Sequence, residues 1–247
     1  MLSSDDPKQN HLLAALRPEA YERLAPDLEL ISMELGWPVY EADVPIEYVY
    51  FPTTCMVSLL YVMDNGDSAE IAVIGNDGMV GVAVFMGDAI MSSRAVVQNA
   101  GKGYRLKAEQ FKKEFELGRS MQLLALRFTQ ALMAQTIQTG ACNRHHTVEQ
   151  QLCRWLLLTL DRLPGNDVTM TTRLIGNMLG VRREGLIEAT DRLQEAGSIR
   201  YNAGRIIVLD RLKLEKISCE CYAAVRREIE RLLAYEVPSE PPQSKLN

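Results

Sequence analysis

No apolar stretch in this 247-residue sequence approaches the roughly 20 residues that a bilayer-spanning helix requires, which excludes a membrane-spanning class. The N-terminus, MLSSDDPKQN, is polar and acidic and lacks the basic and apolar regions of a secretory leader, so a cytoplasmic chain is expected. Cysteine is sparse and unpaired in pattern. Cys55, Cys142, Cys153, Cys219 and Cys221 form an odd, scattered set without a C-x-x-C motif, which excludes a disulfide framework and the usual four-thiolate spacing. Cys219 and Cys221 form the one close pair. On a helix, positions i and i+2 point to different faces, so no shared metal is expected. No Ser-His-Asp, metal-ligand or P-loop spacing is present, and the glycines of GNDGMVG read as turns, so an enzyme is not expected and no cofactor is anticipated. No internal repeat is found.

Excess basic charge is lacking too. The net charge is −5, but it is unevenly spread. Residues 150–235 carry 14 Lys and Arg against 11 Asp and Glu, whereas the remainder carries 13 against 21. An acidic front and a mildly basic back suit a chain with one end that faces DNA.

The composition, with 47% hydrophobic and 24% charged residues, is that of an ordinary soluble protein, and the length allows two modest domains. Residues 11–25 have helical spacing. From about 28 to 106 the pattern becomes LELISMEL, IEYVYFP, CMVSLLYVM, SAEIAVIG and SRAVVQNA. These short β-branched or aromatic runs are divided by Gly-Trp-Pro, Pro-Thr-Thr, Asp-Asn-Gly-Asp, Gly-Asn-Asp-Gly and Gly-Lys-Gly. Regularly spaced strands with turn chemistry predict a β-roll or jelly roll. Asp64-Asn65-Gly66-Asp67 marks a tight hairpin. After the short helix EQFKKEF, Gly118 breaks the run and a long helix follows. On it Met121, Leu124, Phe128, Leu132 and Gln135 form one stripe, thickened by Leu123, Leu126, Ala134 and Ile137. So wide an apolar surface suits a helix that packs on its own domain and on a partner at once; a core helix of a single chain is the other reading. Asn143-Arg144-His145-His146 reads as a hinge, with the histidines in capping or solvent roles. A helix over TVEQQLCRWLLLTLDRL then ends at Pro164-Gly165. The segment SIRYNAGRIIVLD predicts two short strands, and a last helix is expected over 211–234. The tail EVPSEPPQSKLN predicts disorder.

The segment TTRLIGNMLGVRREGLIEATDRLQEAG, residues 171–197, contains the most specific pattern. Two short helical periods flank Gly180, which can take the left-handed conformation a tight turn demands. Gly176 supplies a small residue where the helices cross. Ile175, Leu179, Val181, Leu186, Ala189 and Leu193 occupy the buried spacings. Arg182, Arg183, Gly185, Glu188 and Arg192 are left on the outer face, with Glu184 near the helix start. A recognition helix presents its N-terminal residues to the major groove. Arg pairs bidentately with guanine and Glu accepts from cytosine N4, so Arg183-Glu184 is fit to read a G·C step. Arg200 and Arg205 flank the following Asn-Ala-Gly turn as phosphate contacts on a wing. Thr171, Thr172 and Arg173 open the first helix, where free backbone N–H groups favour a phosphate.

In these residues the sequence resembles the Crp/Fnr family of bacterial transcription regulators across nearly its whole length. The most specific segments are VEQQLCRWLLLTLDRL, IGNMLGVRREGL and LQEAGSIR, while VYFP and VIGNDGMVG resemble the family's β-roll. The resemblance implies an α+β chain in four parts. These are a β-roll effector domain over 1–107, a long dimerisation helix with its preceding short helix over 108–142, a winged helix-turn-helix over 143–235 and a disordered tail over 236–247. It implies a homodimer on a two-fold symmetric operator of double-stranded DNA, read by a helix at 182–195, in contact with RNA polymerase and controlled by an unidentified small-molecule effector. Arg183 and Glu184 match the family's base-reading pair, and Thr172 and Arg173 match backbone contacts.

Three departures mark the reading head. Arg182 stands where Ser or Thr usually caps the helix, Gly185 stands where a side chain usually faces DNA, and Glu188 replaces a common Arg. The preferred bases are therefore expected to differ from the best-known operator. The sensor departs further. Val82 follows Gly81 where cyclic-nucleotide binders carry a ribose-binding carboxylate. Ser92-Ser93-Arg94-Ala95 puts Ser93 at the phosphate arginine, with Arg94 one place off and on the opposite face of a strand. Gly81, Val82, Ser92, Ser93 and Arg94 thus outline a weak effector pocket for which cyclic AMP is not expected. The alternative is a ligand-binding sensor that acts through protein contacts with little or no DNA binding.

Overall fold

The computed structural model describes residues 5–163, 165–202 and 204–233. The expected disordered tail, the proline of Pro164-Gly165 and the alanine of the wing turn lie outside them.

The expected helix over 11–25 is two: α1 (His11–Ala14) and α2 (Pro18–Leu24), because Pro18 cannot continue the first and instead starts the second. Asn10 caps α1 and also pins it to the sheets. Its side-chain oxygen accepts from Leu12 and Leu13, and its amide donates to the carbonyls of Pro52 and Gly78 at 2.9 and 2.8 Å. Seven strands follow: β1 (Glu29–Met33), β2 (Pro38–Tyr40), β3 (Tyr48–Pro52), β4 (Met56–Val62), β5 (Ser68–Ile74), β6 (Arg94–Asn99) and β7 (Gly101–Lys107), with the short helix α3 (Ala83–Met86) between β5 and β6. They form two antiparallel sheets, ordered β1-β7-β3 and β2-β6-β4-β5. Phe51, Val49, Met33 and Leu106 fill the space between them. Two strands correct the sequence reading. Pro38–Tyr40 pairs with β6, and Gly101–Lys107 is a strand although its Gly-Lys-Gly start has the composition of a separator. Gly103 faces Phe51 and Pro52 so closely that a Cβ would sit 3.0 Å from the Phe51 carbonyl oxygen.

Helix α4 (Ala108–Glu116) precedes α5 (Ser120–His145), which runs 26 residues. The hinge expected over 143–146 is therefore helical through His145. The turn reduces to His146-Thr147, and helix α6 (Val148–Leu160) starts at once with a Thr147–Gln150 capping box. The expected dimer stripe is also corrected. Met121, Leu124, Phe128 and Gln135 are buried in the chain's own interior, and Leu132 packs against the same core. Gly78 makes this approach possible: a Cβ there would lie 2.2 Å from the Phe128 ring. Leu126, Met133 and Ile137 face outward, with Ile137 69% exposed.

The C-terminal part comprises α6, β8 (Asp167–Thr169), α7 (Thr172–Leu179), α8 (Arg183–Glu195), β9 (Ile199–Asn202), β10 (Arg205–Val208), α9 (Arg211–Ile217) and α10 (Glu220–Leu233). The two expected wing strands gain a third, β8, in the order β8-β10-β9. The last helix is broken at Ser218-Cys219. Trp155, Leu152 and Leu156 of α6 centre a second core that also takes in Met56 and Val73 of the β-roll, so the two halves share apolar contacts. No helix among the described residues is long and apolar enough to cross a membrane.

Candidate nucleic-acid interface

The turn between α7 and α8 is built by its backbone. Gly180 has φ 66°, the left-handed region that glycine enters without a Cβ penalty. Its N–H donates to Asn177, and the Val181 N–H reaches back to Gly176 at 3.0 Å. This pair of bonds closes α7 as a Schellman motif and turns the chain into α8 after two residues. Ile175, Leu179, Leu186, Ala189 and Leu193 are buried and Val181 is half-buried, so the apolar positions read from the spacing join the two helices. A Cβ at Gly176 would meet the Val181 carbonyl at 3.4 Å, a tight but ordinary approach at the crossing.

The first turn of α8 projects Arg182, Arg183 and Glu184 into solvent. Arg182 is the N-cap residue and makes no side-chain capping bond. Thr171 caps α7 instead, accepting from the Leu174 N–H at 3.4 Å. Thr172 and Arg173 follow on the helix mouth, half-buried and exposed. The wing turn closes against this mouth through the Met170 N–H bond to the Gly204 carbonyl at 2.7 Å. The threonine cap and the wing turn thus meet at the N-terminal end of α7, and the α8 tip follows from its other end. Arg173, Arg182, Arg183 and Arg200 make no ion pair among the described residues, and each is exposed. Unpaired guanidinium groups beside two helix N-termini create a local positive field in a chain that is acidic overall.

Other predicted residues sit differently. Gly185 is half-buried and faces Val148 of α6, whose methyl would be 3.7 Å from a Cβ, so it is not on the outer face. Arg192 turns the same way and bonds Glu149 at 3.1 Å. Arg205 pairs with Asp167 across the wing at 2.8 Å. Glu188 remains exposed and is 4.0 Å from Arg192. Ile187 was not singled out from the sequence, yet it is 40% exposed, one turn beyond Arg183. The signal was an apolar residue at i+4 from an outward position.

In the β-roll, Gly81 and Val82 are buried at the entry to α3, and Ser93 is buried on the approach to β6. Ser92 is exposed. Arg94 is half-exposed and donates to Glu41 at 3.0 Å, so its guanidinium is engaged at the rim. The β4–β5 hairpin reaches the other half: a cleft of about 380 Å³ is lined by Met63, Asp67 and Ala69 on one side and Asn177, Val181 and Arg182 on the other.

Residues 150–217 match the Crp-like helix-turn-helix domain family. Several solved structures share the fold. A Crp/Fnr-family transcriptional regulator from Eubacterium rectale aligns with a TM-score of 0.66 at 14% identity, covering 85% of this chain and 98% of that one. FixK2 from Bradyrhizobium japonicum aligns with 0.63 at 18% identity, covering 78% and 98%. TTHA1359, a Crp/Fnr-family regulator from Thermus thermophilus, aligns with 0.60 at 17% identity, covering 77% and 98%. A comparison with curated protein sequences finds no match. The chain thus carries a Crp-like helix-turn-helix domain over residues 150–217, at the end of a fold it shares with Crp/Fnr-family regulators, the build of a DNA-binding transcription regulator.

Proposed function

We propose that the chain binds a two-fold symmetric operator as a homodimer and reads it with the first two turns of α8. The observation that carries this reading is the exposed Arg182-Arg183-Glu184 tip at the start of α8, with Thr171 and Arg173 also exposed at the start of α7. In this geometry Arg183 pairs with guanine, Glu184 accepts from cytosine and Ile187 meets a thymine methyl. Thr171, Thr172, Arg173 and Arg200 hold phosphates. Arg205 neutralises Asp167 and contributes less. Glu188 repels phosphate and narrows the set of acceptable sequences.

The outward stripe Leu126, Met133 and Ile137 supports the homodimer. Its spacing of seven and four residues is that of a helix–helix seam, and the inward stripe is already occupied. Two copies joined there would present two α8 helices to successive major grooves, about one helical turn apart. Contact with RNA polymerase and control by an effector at the β-roll belong to the same reading. The β4–β5 hairpin beside Arg182 offers such control a direct route to the reading head.

The test is binding to promoter fragments across a salt series. Affinity that falls steeply with salt, with a slope of about −0.9 per neutralised phosphate, supports the reading. A slope no steeper than that of a neutral control protein overturns it and favours a sensor that acts through protein contacts.

A further inference from the structure

The end of α5 and the start of α10 meet in a cluster that DNA recognition does not use. Cys142 and His146 lie one helical turn apart, at and just beyond the last turn of α5. Cys219 and Cys221 flank the first residue of α10. The three sulfurs and a ring nitrogen all lie within 4.8 Å of one another. Cys142 Sγ is 3.6 Å from Cys219 Sγ, and Cys221 Sγ is 3.5 Å from His146 Nδ1. The three cysteines are buried together. The divergence expected of Cys219 and Cys221 does not arise, because Cys219 precedes the helix and its carbonyl accepts the Tyr222 N–H at 3.3 Å.

We propose that Cys142, His146, Cys219 and Cys221 bind one zinc-class ion, which clips α10 to the end of α5. The dimensions select a single ion. A tetrahedron with metal–sulfur bonds of about 2.3 Å has sulfur–sulfur edges of about 3.8 Å, close to the separations found. A multi-iron cluster needs its cysteines further apart. The donor set of three thiolates and one imidazole is that of structural zinc. The surroundings orient the ligands as such sites require. Glu220 Oε2 lies 3.3 Å from His146 Nε2, so a proton held there leaves Nδ1 free to face the ion. The side-chain amide of Gln138 donates to Cys221 Sγ at 3.0 Å. Three thiolates, a neutral imidazole and a divalent cation leave one net negative charge. Buried Arg154, whose charge acts on Cys142, offsets it. Three thiol protons leave to solvent as the ion binds. The site lies beside the short His146-Thr147 turn that joins α5 to α6, so the ion sets how firmly the C-terminal helices are held on α5. The proposal stands independently of the DNA reading.

The test titrates the reduced, metal-free full-length chain with cobalt(II) and then zinc(II) under anaerobic conditions. The expected result is one cobalt per chain, with the intense visible bands of a tetrahedral thiolate complex that zinc then abolishes. Cys142→Ser and Cys219→Ser should each bind cobalt at least tenfold more weakly, with a thiolate charge-transfer band reduced in proportion to the lost sulfur. His146→Gln, which leaves the buried sulfurs in place, should retain the far-ultraviolet circular dichroism of the parent but bind cobalt at least tenfold more weakly. Cys153→Ser should bind as the parent does. An octahedral spectrum, unchanged cobalt binding in Cys142→Ser/Cys219→Ser, a sulfide-containing brown chromophore or a Cys142–Cys219 disulfide that persists in reductant and excludes the ion would each overturn the proposal.

Discussion

The guanidinium of Arg162 grips the carboxylate of Asp77 across the seam between the β-roll and the C-terminal unit, with Nη2 2.7 Å from Oδ2 and Nε 3.1 Å from Oδ1. The same side chain donates to the Leu158 carbonyl at 2.8 Å and to Gln135 Oε1 at 3.1 Å, while Gln135 donates to the Val73 carbonyl at 3.0 Å. The pair is nearly dry, with side-chain exposures of 3% and 14%. Removing one partner strands a buried charge, so Asp77→Ala is expected to cost about 3–5 kcal/mol. Urea unfolding measures it, and a loss below about 1 kcal/mol would show that solvent reaches the seam.

Glu70 predicts a pH dependence. Its carboxyl is buried between the two halves, and burial raises its pKa from 4.5 to about 7, only partly offset by the Ser58 hydroxyl and by Arg154. The Ser58 oxygen is 2.6 Å from Glu70 Oε2 and 2.5 Å from the Gln98 side-chain oxygen, whose amide nitrogen is buried without a partner. A flipped Gln98 amide would donate to Ser58 and leave Ser58 to donate to Glu70. Because the folded pKa is raised, both states are protonated below about 4.5, and the folded state alone keeps the proton up to about 7. This group's contribution to stability therefore falls as pH rises through that window and levels off above it. Glu70→Gln should remove the fall and gain about 3 kcal/mol relative to the parent at pH 8, seen as a flatter curve of unfolding free energy against pH. Parallel curves would refute the assignment.

The two faces of α5 should respond differently to charge. Leu124→Glu or Phe128→Glu places a carboxylate in the core of a folded subunit and is expected to unfold it by more than the roughly 3–5 kcal/mol of a Phe→Ala truncation. Met133→Glu with Ile137→Glu should keep the melting temperature of the isolated subunit and yield monomers by sedimentation. A dimer that survives the second pair of changes would move the interface elsewhere.

Arg183→Ala should weaken binding to the preferred operator by about 1–3 kcal/mol and relax selection at one base pair, with a smaller loss on random DNA. Competition binding against operators changed one pair at a time reads this out. Equal losses on every sequence would make Arg183 a phosphate contact.

The hairpin contact makes a charge prediction. Asp67 shares the cleft with Arg182 and adds a negative charge beside the reading head. One unit charge about 10 Å away in water is worth about 0.4 kcal/mol, so Asp67→Asn should tighten DNA binding about twofold. The gain should vanish at high salt, because the separation approaches the screening length. An unchanged affinity at low salt would place the hairpin too far from DNA to matter.

The helix-turn-helix was readable in advance because its determinants are local. Gly180, the apolar positions from Ile175 to Leu193 and the charged tip all lie within one short segment and obey one helical period. The strand Gly101–Lys107 is only half legible in the sequence, because Gly101 and Gly103 have the composition of turn residues. Their lack of a side chain serves a close approach to neighbouring strands instead. The division of the last helix is not legible in the sequence, because Ser218 and Cys219 carry no Pro or Gly signal.

Local period and composition, then, determined the order of β-roll, long helix and winged helix-turn-helix, and which residues tip the recognition helix. Tertiary structure decided what a period cannot. Helix α5 is apolar on both sides, so only packing on Gly78 and the sheet told the inward stripe from Leu126, Met133 and Ile137. Gly185 and Arg192 turned towards α6 because Val148 and Glu149 lie there. Cys142 and Cys219, 77 residues apart, became neighbours through the fold of α10 back onto α5. Sequence spacing specifies neighbours along one element, and contacts between elements follow from where each can bury its apolar face.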